Sequence, residues 1–273
     1  MKRILTAIVA LPVLLYTVWS DTPYYFAALT LIAVLIGLYE FYALASKLEI
    51  TTQKTLGYLA GIAVVACFTV NRPHLIAAVI SGLVLMSLST EVFHAGDMSK
   101  SLATVSATVL GVLYIALLAG ALVGVRMLAD THTAVATPKL AAKLLTTFFA
   151  MVMMTDTGAY YTGRAIGRHK LALRVSPGKT IEGSVGGFIA AALAGVACRE
   201  IFFPEIALLH VIALGVIIGI VGPIGDLAES MLKRGAGVKD SGAIFPGHGG
   251  MLDRIDSLLF CAPVIYYYSL WFL

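Results

Sequence analysis

Apolar runs of about twenty residues recur from one end of this chain to the other, each long enough to cross a ~30 Å hydrocarbon core as a helix. Lipid offers no hydrogen bonds, so a spanning segment must pair its own backbone groups, and a helix is the local way to do it. Charged residues make up 12% of the 273 positions, against about a quarter in soluble domains, so water is not the main solvent. The expectation is an all-α, polytopic integral membrane protein of about nine transmembrane helices, near 4–20, 25–45, 56–71, 75–93, 103–125, 142–163, 184–203, 206–227 and 257–273. Little sequence remains for a separate soluble domain. The chain reads as a single membrane domain, with 1–140 as a helical scaffold and 141–273 carrying catalytic helices and cytoplasmic loops.

Lys2 and Arg3 before an apolar run resemble a signal peptide, but no A-x-A site follows in "YTVWSDTPYY", so an uncleaved first helix is expected. With the N-terminus inside, fourteen of the nineteen basic residues fall on the inner side, leaving Arg72, Arg126, Lys139, Lys143 and Arg199 outside. That bias puts the polar loops 164–183 and 228–256 in the cytoplasm, where a polar site would sit at the membrane edge. The net charge of +4 then reflects topology and gives no reason to invoke nucleic acid. Cys67, Cys198 and Cys261 fall inside spans and read as small core residues. Pairs such as Gly57/Gly61, Gly120/Gly124, Gly163/Gly167 and Gly215/Gly219 have the spacing that lets helices approach closely.

Polar residues inside the spans are few. Glu40 and Glu91 lie near inner helix ends, where snorkelling or a helix-end hydrogen bond accounts for them better than a substrate role. Asp156 sits about two turns inside its span, where an ionisable group costs ~2.5–3.5 kcal/mol on insertion scales. Thr155, Gly158 and Tyr160 around it suggest a polar, protein-lined cavity, with a structural hydrogen bond as the alternative.

The loop "GRAIGRHKLALRVSPGKTIEG" carries five basic residues and one acid, Glu182. Its GKT is not a Walker A loop: Leu173 stands where a glycine is required, and no strand is expected before it. What remains is a basic loop with hydroxyls and Lys179 leading into a helix N-terminus, suited either to phosphate or to anionic lipid headgroups. Pro223 should bend the next helix. If the helix resumes, Asp226, Glu229, Ser230 and Lys233 share one face, and a Glu229–Lys233 ion pair would explain those two without function. In "GAGVKDSGAIFPGHGGMLDRID", residues 235–256, the glycines permit positive φ and close approach to a ligand. Asp253 and Asp256 lie three apart at the start of the last helix. Their hard oxygens suit Mg²⁺, with a helix-capping role as the alternative for Asp256.

The stretch 230–256 resembles the signature of the phosphatidate cytidylyltransferases, or CDP-diacylglycerol synthases. It is carried by Ser230, Lys233, Arg234, Lys239, Asp240, Gly242, Pro246, His248, Gly249, Gly250, Asp253, Arg254 and Asp256. "SPGKTIEG" and "GDLAES" resemble the accompanying motifs, so the resemblance covers about 150–273. It implies an enzyme that converts CTP and phosphatidate to CDP-diacylglycerol and pyrophosphate. Asp226 and Asp253 would hold Mg²⁺, with a second cation left open. Lys179, Lys233, Arg234 and Lys239 would bind phosphates, and Ser176, Thr180 and Ser230 would donate hydroxyl hydrogen bonds. His248 would position a phosphate or the loop, with Asp256 beside it in the catalytic set and Asp156, Glu182, Asp240 and Arg254 on the substrate side. A lipid bilayer and a homodimer partner are implied as well, in a compact chain that resembles bacterial inner-membrane members. CTP-dependent polyprenol or phytol kinases lack the full signature. A secondary transporter would account for the helices and Asp156 but not for charges concentrated in cytosolic loops. The motif of CDP-alcohol phosphotransferases is absent.

The basic-residue bias has a direct test. Single cysteines at Ala236 and after Leu273, in a cysteine-free background, should label from opposite sides of sealed vesicles. Labelling from one side means a miscounted span.

Overall fold

The computed structural model describes residues 2–93 (side chains from Ala10), 97–128, 137–244 and 249–273. Ten α-helices dominate: α1 (Lys2–Trp19), α2 (Tyr24–Lys47), α3 (Lys54–Thr69), α4 (Ile76–Phe93), α5 (Met98–Gly111), α6 (Leu118–Arg126), α7 (Leu140–Ile166), α8 (Ile181–Phe202), α9 (Leu208–Gly235) and α10 (Leu252–Phe272). A 3₁₀ turn, Pro73–Leu75, leads into α4, and a π-helical stretch, Val112–Leu117, joins α5 to α6 in one rod. Among the described residues seven helices are long and apolar enough to cross a membrane, counting α5–π–α6 once; Ala10–Trp19 and α3 are shorter apolar helices. All nine expected spans are helical, and the chain is a multi-pass membrane protein.

Helix ends differ from those expected. α8 begins at Ile181, α9 runs on to Gly235 without interruption at Pro223, and α10 begins at Leu252. Counting apolar residues ends a span where polar ones begin, but helical hydrogen bonding continues past that point. Among the described residues the loop before α8 holds the one sheet, an antiparallel hairpin of β1 (Lys170–Ala172) and β2 (Ser176–Thr180). A strand therefore does precede α8, contrary to expectation. The GKT lies within β2 itself and does not form a loop beyond it.

The chain divides into two compact units. The first comprises Met1–Met127 and Leu232–Arg254. Its core is built on α2, where Tyr42 is fully buried and donates its hydroxyl hydrogen to the Thr108 carbonyl oxygen at 3.2 Å. A Cβ at Gly111 would lie 2.7 Å from that ring, and one at Gly61 would lie 2.8 Å from Leu38, so α3 and α5 reach α2 only because they present hydrogens there. The α2–α3 connection is polar. Gln53 donates its backbone N–H to the Thr108 hydroxyl at 2.9 Å and its amide N–H to Glu91 at 2.7 Å, so Glu91 serves a loop. The rod from Pro73 to Phe93 buries only 11% of its most apolar window against protein, as befits a helix whose solvent is lipid.

The second unit comprises Leu128–Met231 and Ile255–Leu273. α7 and α8 run antiparallel in close contact: a Cβ at Gly158 would sit 2.5 Å from Ala190 Cβ and 2.8 Å from the Gly186 carbonyl oxygen, and one at Gly187 would sit 2.9 Å from the Thr155 carbonyl oxygen. Gly215 of α9 presses on Ala192 in the same way, and Gly225 on Phe260 of α10. Of the small-residue pairs, Gly57, Gly61, Gly120, Gly163, Gly167, Gly215 and Gly219 meet neighbours within the chain. Their spacing is used for internal packing and lends no support to a dimer. Lys143 pairs with Glu205 at 2.8 Å, and with Thr137 it holds that carboxyl at about 2, well below the usual range.

Gly158→Ala should destabilise the protein by about 1–3 kcal/mol, because backbone lies in the way and α7 must move off α8. Gly82→Ala, with nothing within 4 Å, should be neutral or stabilising by up to about 1 kcal/mol. Thermal unfolding in detergent measures both.

Candidate functional site

In the second unit the hairpin delivers Lys179. The N–H of Ile181 extends its ladder to the His169 carbonyl oxygen at 2.9 Å, and the buried hydroxyl of Thr180 caps α8 by accepting from the Gly183 N–H at 3.1 Å. Glu182, in the first turn, reaches back to accept the N–H groups of Arg168 and His169 at 3.1 and 3.2 Å, and its carboxylate meets His169 Nδ1 at 2.6 Å. Capping oxygen and reaching carboxylate together fix the hairpin to the start of α8. Glu182 thus has a structural task here.

From β2, Lys179 Nζ reaches Asp226 Oδ2 at 2.6 Å and the Pro223 carbonyl oxygen at 3.4 Å. Ser230, one turn along α9, donates to Asp226 Oδ1 at 3.3 Å. The hairpin lysine, the α9 carboxylate and the α9 hydroxyl therefore come together as one cluster, with the Lys179 and Asp226 side chains 25% and 31% exposed. Solvent access on that scale leaves the pair open to a competing anion or cation. Ser176 is half-buried at the start of β2, and Glu229 is fully buried.

Asp156 is exposed on α7, whereas Thr155 is buried and donates its hydroxyl hydrogen to the Met151 carbonyl oxygen of its own helix at 2.9 Å. The capping alternative for Asp256 does not hold: with α10 starting at Leu252 it occupies the fifth helical position, and its Oδ1 accepts from the Ser257 N–H at 2.6 Å.

The first unit holds the second cluster. Lys233 Nζ lies 2.5 Å from Asp253 Oδ1, with side chains 10% and 7% exposed. Asp253 Oδ2 accepts from the backbone N–H of Ser241 at 2.9 Å and of Gly250 at 2.7 Å. Lys233 is thus tied to Asp253 across 20 residues of sequence. Arg234, Lys239, Asp240 and Arg254 are exposed, and Arg234 donates to the Val238 carbonyl oxygen at 3.1 Å. Pro246, Gly247 and His248 lie outside the described residues.

Sequence reasoning passed over one member. Glu40, two turns from the C-terminal end of α2, is 1% exposed. Its carboxylate accepts from the Ser241 hydroxyl at 2.9 Å and from the backbone N–H groups of Met251 and Leu252 at 2.9 and 2.8 Å. It neither snorkels nor caps its own helix. A Cβ at Gly242 or Gly250 would collide with that carboxylate, which explains these two glycines without a ligand. Gly237 and Gly249 do use positive φ, at 69° and 80°. The available signal was the cost of a carboxylate seven residues from the end of an apolar helix, which demands a partner.

No group of three or more His, Cys, Asp or Glu side chains able to hold a metal occurs among the described residues. A divalent cation delivered with a polyphosphate needs only one or two carboxylates, because phosphate and water oxygens complete its shell. The hard oxygens of Asp226 and Asp253, each already holding an ammonium, suit that role. Breaking the two ion pairs should have unequal effects. Lys233→Met strands a buried carboxylate and should cost about 3–5 kcal/mol, whereas Lys179→Met at the more open pair should cost about 1 kcal/mol or less in thermal unfolding.

The family model described as "Cytidylyltransferase family" matches residues 1–272. A phosphatidate cytidylyltransferase of Staphylococcus saprophyticus is 47% identical over 117 residues, 43% of this chain and 45% of that protein. The same-named proteins of Bacillus subtilis and a Synechocystis species are 42% identical over 122 residues and 48% identical over 121. These two matches cover 44% of this chain in both cases, and 45% and 41% of the relatives, so each aligned stretch spans less than half the length of the curated relative.

Proposed function

The chain belongs to the cytidylyltransferase family, and on that premise we propose that it is a nucleotidyltransferase that converts CTP and phosphatidate to CDP-diacylglycerol and pyrophosphate. The observation that carries this reading is the Lys179–Asp226 pair, an ammonium and a carboxylate presented together by a basic hairpin and a membrane helix. A reaction between two polyanions needs both signs of charge: cations for the phosphates and hard oxygens for a metal ion. The names borne by the relatives point to the same chemistry.

The phosphate of phosphatidate has a second pKa near ~6, by analogy with phosphoserine, so an ionised oxygen is available at neutral pH without a strong general base. What the protein must supply is alignment of that oxygen with the α-phosphorus and charge to offset the leaving pyrophosphate. Lys179, Lys233, Arg234 and Lys239 are proposed as the phosphate-binding cations, and Ser176 and Ser230 as hydroxyl donors. Members of this family generally use a divalent cation; magnesium is proposed here, with Asp226 and Asp253, each within its own unit, as candidate oxygen ligands, and such an ion would supply charge neutralisation of the triphosphate.

We place residues 164–183 and 228–256 on the cytosolic side of a bacterial inner membrane, on the basic-residue bias. CTP would then arrive from water while the acyl chains stay in lipid. The single-chain structure carries no argument for a homodimer.

The test uses purified protein, Mg²⁺, phosphatidate in mixed micelles and CTP labelled on either the α- or the γ-phosphorus. The α label should enter organic-extractable lipid and the γ label should leave as water-soluble pyrophosphate, and EDTA should stop both. Lipid labelled from the γ position, with an alcohol acceptor, would identify a lipid kinase. Label in neither product would overturn the enzymatic reading.

A further inference from the structure

The Glu40 carboxylate reaches from two turns before the C-terminal end of α2 to both ends of the glycine-rich segment that precedes α10. At one end it accepts from the Ser241 hydroxyl, and at the other from the N–H groups of Met251 and Leu252. Those N–H groups belong to the start of α10, where a helix leaves its first donors without intrahelical acceptors and where negative charge is favoured. Asp253 is fastened to the same two places, to Ser241 through its N–H and hydroxyl at 2.9 and 3.0 Å and to Gly250 through its N–H at 2.7 Å. Two carboxylates thus hold the same two stretches of chain, and Ser241 touches both. Gly242 and Gly250 leave the space that the Glu40 carboxylate fills.

We infer that Glu40 is a positioning residue for the cytidylyl transfer reaction: by pinning Ser241 and the first turn of α10 it fixes the direction in which Asp253 and Lys233 point. This rests on the proposed function, since it assigns those two side chains to the reaction. Glu40 itself touches no reacting atom. It acts through a hydroxyl and two backbone amides, and displacement of the group it aims by about 1 Å can cost on the order of 100-fold in rate.

Glu40→Gln keeps the size of the side chain and turns one acceptor oxygen into an N–H that faces other donors. In the purified full chain it should lower kcat per folded molecule by on the order of 100-fold, with KM for CTP little changed, as for an interaction that matters in the transition state. Glu40→Asp, which keeps the charge but withdraws it by one methylene, should not restore kcat. Ser241→Ala should shift kcat in the same direction to a smaller extent, and it carries the kinetic test if Glu40→Gln does not fold. A purely structural Glu40 would lower the melting temperature and the folded fraction while leaving kcat per folded molecule intact, and that result overturns the inference. A second measurement is independent of turnover. The melting shifts of Glu40→Gln and Asp253→Asn should be non-additive in the double variant, because both act on one loop, and additive shifts would also overturn it. If wild-type protein transfers no label from CTP to phosphatidate, the proposed substrates are wrong, while the melting cycle still decides whether Glu40 and Asp253 are coupled.

Discussion

A carboxylate in a membrane helix is costly without donors, and the sites of this protein follow from how three of them are given partners. Asp226 takes an ammonium from a hairpin and a hydroxyl from its own helix. Asp253 takes an ammonium and two backbone N–H groups. Glu40 takes a hydroxyl and two more N–H groups. Each arrangement forces segments distant in sequence to meet, 201 residues apart for Glu40 and Ser241. Removing the charge would leave a loop with no reason to hold its path.

Hydrophobic attraction between helices is weak in lipid, so the helices themselves are held by contact at short range. The α7–α8 pair shows how sequence allows it. Gly158, Gly183, Gly186 and Gly187 remove every Cβ that would keep the two backbones apart. The same device lets α3 and α5 lean on the Tyr42 ring. Small residues at four-residue spacing therefore speak first for packing inside one chain.

The helical, membrane-spanning character was legible from apolar run length alone, because that signal adds over some twenty residues. Helix ends were less legible: Thr180 and Asp253 anchor helix starts that begin in polar sequence, outside the apolar windows. The clustering of Lys179 with Asp226 followed from motifs in the expected order. Its geometry did not, because a three-residue strand such as Lys170–Ala172 leaves almost no periodicity to read. Glu40 was the largest loss. Its need for a partner was visible, but the partner lay beyond the reach of any local pattern.

The Ser241 hydroxyl stands 2.9 Å from one carboxylate and 3.0 Å from another, yet it owns a single hydrogen. Only one of Glu40 and Asp253 can receive it at any instant. Whichever is passed over keeps its remaining donors, Met251 and Leu252 for Glu40, and Lys233, Gly250 and the Ser241 amide for Asp253, so neither is left bare. Rotation about the Ser241 Cβ–Oγ bond decides which carboxylate takes the larger share of that hydrogen, and it moves no heavy atom.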